Sequence, residues 1–142
     1  MRTACLCLFN NGLGLLNDVS LIQDLLLDSY NTTVHYLYGQ SGTGVVKIPT
    51  CSSTPEYLNS YDVGIHFQDF TLEGLSISKK NILIVNEEWT NNDKLRHIHE
   101  FDKIIVKSTF AEQLLKPLHT NVVNCGFISK DKYKSNYIKQ NT

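Results

Sequence analysis

This sequence has no long apolar run, almost no net charge, few cysteines and few prolines, and each shortage excludes something. No apolar stretch approaches the roughly 18–20 residues that a membrane-spanning helix needs, so no membrane span is expected. The apolar start, Thr3 to Phe9, is broken by Asn10 and Asn11 before it reaches signal-peptide length, so a cytoplasmic protein is expected. A net charge of −1 argues against a dedicated nucleic-acid binder. The four cysteines, Cys5, Cys7, Cys51 and Cys125, form no C-x-x-C and no zinc spacing with the histidines, so no metal site is expected. Buried, reduced thiols acting as small hydrophobes are the simpler role for them. Three prolines, 42% hydrophobic and 19% charged residues exclude disordered and collagen-like chains.

What is present is 142 residues, a single-domain length able to bury roughly 68–70% of its unfolded surface. Charge is uneven. Residues 1–78 carry two bases against seven acids, and residues 79–142 carry eleven bases against seven acids. The basic excess peaks from Lys130 to Lys139, which reads as a solvated tail or as a contact for an anionic ligand or partner.

Short apolar strands alternate with helical segments. Strands are expected at Thr3–Phe9, Thr33–Tyr38, Asp62–Phe67, Asn81–Val85, Lys103–Val106 and Asn121–Cys125, with a short extra one at Val45–Ile48. Helices are expected at Asp18–Ser29, where Val19, Ile22 and Leu26 share a face, at Asn92–Phe101, and after Ser108 or Thr109. The run Thr109-Phe110-Ala111-Glu112 fits a capping box, and Pro117 closes that segment. The pattern predicts a three-layer α/β/α Rossmann-like domain over residues 1–128, with a mostly parallel sheet of about six strands. Residues 129–142 would be a basic tail or an extra helix.

Ligands of such sheets sit where the strands end at their carboxyl side. That rule selects Asn10 to Gly14, Gly39 to Gly44, Gln68-Asp69, Asn86 to Trp89, Lys107-Ser108-Thr109 and Gly126-Phe127. Gly12-Leu13-Gly14 opens like a dinucleotide fingerprint, but Asn17 replaces the third glycine and no acid ends the second strand. A nicotinamide cofactor is therefore not expected, leaving two turn glycines or a weak anion site. Gly39 to Val45 copies P-loop glycine spacing without the Lys-Ser/Thr pair. A phospho-receiver reading fits Asp69 and Lys107 but fails at Asn10-Asn11, where acids must bind the metal. Asn86-Glu87-Glu88-Trp89 is the richest stretch: its carboxylates could act as a base and its indole could pack on a sugar ring, although Trp also fills cores. His66, on a strand, could equally be a core residue. His97 and His99, two apart on a helix, do not make a metal pair.

Tyr61 to Gln68, Asn81 to Trp89, Phe101 to Ala111 and Val122 to Phe127, taken in order, resemble the acceptor-side N-terminal domain of group 1 type, GT-B fold glycosyltransferases. The Asp102-Lys103-Ile104-Ile105-Val106-Lys107-Ser108-Thr109-Phe110-Ala111 step is the most specific part. The resemblance covers residues 61–128 well and 1–60 only as a pattern. It implies a domain that holds a saccharide or glycoconjugate acceptor while a second domain holds a nucleotide-sugar, usually with a Glu-x7-Glu pair. No two glutamates here stand eight apart. The domain itself would bind no cofactor, and the donor half would come from a partner chain.

Under this resemblance, Glu87, Glu88 and Asp69 are the catalytic candidates, and Asn11, Gly12, Gly14, His66, Gln68, Asn86, Trp89, Lys107, Ser108 and Thr109 are the substrate-binding candidates. The alternatives are a degenerate, non-catalytic module that binds a ligand or protein, alone or as a homodimer, and a small enzyme using Gly12–Gly14 to hold an anion. Abundant Asn, Lys, Tyr and Ile suit an AT-rich viral or microbial genome.

Overall fold

The computed structural model describes residues 1–9, 13–37, 59–85 and 92–126. They form β1 (Arg2–Phe9), α1 (Leu13–Leu26), β2 (Tyr30–Leu37), β3 (Tyr61–Phe67), α2 (Leu72–Ser76) and β4 (Ser78–Ile84). Next come α3 (Asn92–Leu95), a 3-10 turn at Ile98–Glu100, β5 (Lys103–Val106), α4 (Thr109–Leu115) and β6 (Val122–Asn124). The six strands make one sheet in the order β2-β1-β3-β4-β5-β6, and every pairing is parallel. This is the expected Rossmann-like α/β architecture. The extra strand proposed at Val45–Ile48 and the tail lie outside the described residues.

The apolar run of β1 explains its central position. Ala4 to Leu8 are all buried, which a strand tolerates only when both sheet faces are covered. Successive side chains alternate between the faces. Leu6, Leu8, Ile65, Phe67 and Ile84 point to one side, where Val19, Ile22 and Leu26 of α1 meet them. Leu83, Val85, Ile104 and Val106 point to the other, against Phe70, Ile98, Phe101, Ala111 and Leu115. Each such side chain contributes roughly 1.5–3 kcal/mol on burial, so these two clusters hold the layers together. Cys5 and Cys7 lie on the second face with their sulfurs 3.2 Å apart, beside Ile77.

Three local expectations change. α1 begins at Leu13, so Gly14 belongs to its first turn rather than to a loop. The segment from Asn92 is not one helix: it breaks at Arg96-His97 and resumes as a 3-10 turn. The three-residue spacing of Leu95, Ile98 and Phe101 suits that tighter period. Finally, Ser108 caps α4, its Oγ accepting from the Ala111 N–H at 3.1 Å. Glu112 therefore lies one place too late for a capping box, and it pairs with Lys116 and accepts from Asn124 instead. No helix among the described residues is long and apolar enough to cross a membrane.

Candidate functional site

Strand order places the site. β1 pairs with β2 on one side and with β3 on the other, so successive connections run outward in opposite directions from it. The crevice outside the carboxyl ends of β1 and β3 is the topological switch point, where open α/β sheets bind ligands. Among the described residues, that edge offers Gln68 and Asp69 after β3, Lys107 and Ser108 after β5, and Cys125 and Gly126 after β6.

Gln68 has an unusual backbone. Its φ is +68°, and Phe67 O accepts from Asp69 N–H across it at 2.7 Å, closing a three-residue turn. The left-handed region costs a non-glycine residue about 1–2 kcal/mol. Gln68 N–H donates to Ile84 O at 2.8 Å, which extends the β3–β4 ladder to the rim. Strain of this kind tends to concentrate at functional positions.

Asp69 is committed to its surroundings. One carboxylate oxygen lies 2.6 Å from Lys94 Nζ and accepts from the Phe70 N–H at 2.8 Å. Lys94 also donates to Phe70 O and stands over the Phe70 ring. Asp69 thus ties α3 to the loop after β3.

Lys107 reaches across to α1, where its Nζ lies 3.1 Å from an Asp18 carboxylate oxygen. Beside this pair runs a cleft of about 120 Å³, with Leu21 and Ile22 on one wall, Phe67, Ile84 and Ile105 on its floor, and Cys125 and Gly126 at its far end. A smaller polar recess of about 20 Å³ adjoins it, lined by Leu15 and Gln68 together with Asp18, Phe67, Ile84 and Lys107. Four residues shared by both make them one continuous feature opening at the carboxyl edge. Cys125, expected to be a buried thiol, is exposed here.

The other candidates are placed elsewhere. His66 is fully buried on β3, facing away from α1, with Nε2 2.9 Å from Asn81 Oδ1 and its ring edge-on to Phe101. Burial lowers its pKa to about 4, partly opposed by the Asn81 hydrogen bond. At neutral pH it is a neutral core group without access to the rim. Ser108 spends its hydroxyl on the α4 cap, and Thr109 is the first, exposed residue of that helix. Asn11, Gly12, Asn86, Glu87, Glu88 and Trp89 lie outside the described residues. Among the described residues, no group of three His, Cys, Asp or Glu side chains could hold a metal ion.

Sequence reasoning missed Asp18 and Lys94. Asp18 had a signal: it falls between Leu15 and Ile22 on the apolar stripe of α1, where a carboxylate needs a partner.

Fold and cleft together define a Rossmann-like α/β domain with an open ligand-type crevice. Comparisons with protein families, with curated proteins and with solved structures found no match to this chain.

Proposed function

We propose that this chain is the acceptor-side domain of a GT-B type glycosyltransferase and binds a saccharide at the carboxyl edge of its sheet. One observation carries the reading: Gln68 and Lys107, from segments far apart in sequence, meet at a single recess between α1 and the carboxyl ends of β3, β4 and β5. The polar part of that cleft has an amide, a carboxylate and an ammonium group, the hydrogen-bonding set that sugar hydroxyls use. From Val85, just past β4, the strand between those two positions, the sequence continues into Asn86-Glu87-Glu88-Trp89. In the complete reaction, an acceptor hydroxyl oxygen would bond to the anomeric carbon as the bond from that carbon to the nucleotide diphosphate breaks. Glu87 or Glu88 would take the hydroxyl proton. The donor nucleotide-sugar would be held by a partner domain.

A second reading, a binding module without chemistry of its own, is favoured by the state of the described acids and bases. Asp69 is held by Lys94 and the Phe70 N–H, and His66 is sealed in the core. Saturation-transfer NMR with a panel of oligosaccharides tests both readings. Binding that Gln68→Ala weakens supports a saccharide site, whereas no binding by any member of the panel removes it. Release of nucleotide diphosphate from nucleotide-sugars with a donor-domain partner, abolished by Glu88→Gln, separates the enzyme from the module.

A further inference from the structure

The cleft beside the Asp18–Lys107 pair is more than the polar rim that a sugar would need. Its floor of Phe67, Ile84 and Ile105 is apolar, and its volume of about 120 Å³ is close to what one aromatic ring fills. A cavity of roughly 150 Å³ already admits benzene. Among the described residues, the charges at this edge stand in pairs: Asp69 with Lys94, and Asp18 with Lys107. The positive end of α1, which has no acidic residue in its first turn, lies at the same edge. Lys107 is the more enclosed member of its pair, 26% exposed against 37% for Asp18. The geometry therefore favours a ligand anion that takes over the lysine while Asp18 swings to solvent.

We infer that this cleft binds a small soluble organic anion: a flat apolar body seated on Phe67, Ile84 and Ile105, with one phosphate or carboxylate on Lys107 in place of Asp18. The Asp18–Lys107 pair is then a competitor built into the empty site, and its strength sets part of the ligand's affinity. The inference does not depend on the saccharide reading, because neither a sugar nor the residues 86–89 enter it.

Phenyl phosphate is a suitable probe, read by the methyl NMR signals of isotope-labelled isoleucines. Ile22, Ile84 and Ile105 line the cleft, whereas Ile77, Ile98 and Ile104 lie on the opposite face. Titration should shift the first group and leave the second unmoved. Asp18→Asn, which frees the lysine, should tighten binding by about fivefold, the upper range for an exposed ion pair. Lys107→Met should abolish binding and Lys107→Arg should preserve it, with the dispersed methyl spectrum showing that each variant folds. Inorganic phosphate alone should leave the cleft methyls unshifted, and benzyl alcohol should bind more weakly and ignore Asp18→Asn. Shifts spread over both groups, no shifts at all, or Asp18→Asn and Lys107→Met changing affinity in the same direction would overturn the inference. Loss of oligosaccharide binding with phenyl phosphate binding intact would remove only the saccharide reading.

Discussion

The two faces of β3 handle polar groups in opposite ways. Ile65 and Phe67 point toward α1 into an apolar layer whose polar pair, Asp18 and Lys107, sits at the open edge. Gly64 and His66 point the other way, into a buried cluster with Ser78 and Asn81. Asn81 joins this cluster together, with its carbonyl oxygen on His66 and its amide donating to Leu75 O at 2.9 Å. His66 Nδ1 and Ser78 Oγ nonetheless have no hydrogen-bond partner among the described residues. The contrast teaches that polarity at depth is not by itself a site. The sealed cluster fixes register between β3 and β4, whereas the pair at the rim can exchange partners.

The largest test of this contrast is pH. His66 has a pKa of about 4 in the folded chain against 6.5 when unfolded, so the unfolded state binds the proton more tightly. Stability should be unaffected by this group above pH 6.5, fall as the pH drops below it, and have lost roughly 3 kcal/mol once the pH reaches 4. Facing this histidine are Asn81 and Phe101, with Cys7 its neighbour in register on β1, and none of these supplies a countercharge. Asp62 titrates in a separate window: its carboxyl is held at about 2 by hydrogen bonds from Lys79 and Thr3, so its contribution is present above 3.8 and lost below that. Urea unfolding of wild type and His66→Gln at pH 7, 5.5 and 4.5 separates the two. A wild-type slope that persists in His66→Gln would show that the sealed cluster is not what titrates.

A smaller effect probes packing in the same cluster. A Cβ on Gly64 would stand 2.7 Å from Ser78 Oγ and 2.8 Å from Asn81 Oδ1, both closer than real Cβ contacts allow. Asn81 is pinned by two hydrogen bonds and cannot easily yield. Gly64→Ala should cost about 1–3 kcal/mol by overpacking. Adding Ser78→Gly should recover part of that loss, because it removes two of the three crowded contacts. Equal losses in both backgrounds would place the strain elsewhere.

What could be read in the chain follows from range of interaction. The runs Ala4 to Leu8 and Leu83 to Val85 announced buried strands because continuous apolar sequence needs cover on both faces. Val19, Ile22 and Leu26 announced the inner face of α1. The start of β4 was hidden because Lys79 and Lys80 look like loop residues, yet they are exposed ladder residues, and Lys79 pairs with Asp62 at 2.8 Å. Gly14 was misleading for a related reason: a glycine pair reads as a turn, while here the helix starts between the two. The Asp18–Lys107 pair joins positions 89 apart, and no local pattern encodes it. The carboxyl-edge rule found Lys107 but not its partner, since it selects strand ends and Asp18 lies on a helix.

The smallest test compares two residues with the same backbone. Gln68 and Gly126 both have a φ of +68°, and they lie on the two parts of the cleft. Among the described residues nothing stands within 4 Å of where a Gly126 Cβ would be, so Gly126→Ala should lose only the conformational term, about 1 kcal/mol. Gln68→Gly should move the other way, gaining about 0.5–1 kcal/mol after the extra flexibility of the unfolded chain is subtracted. Paired urea denaturation curves at pH 7 measure both. A gain at position 68 would mean that the chain keeps a less stable residue at the rim of its switch point, which makes sense if the glutamine amide is used there. If Gln68→Gly instead destabilises, the side chain holds the turn together, and its position at the rim says nothing about a ligand.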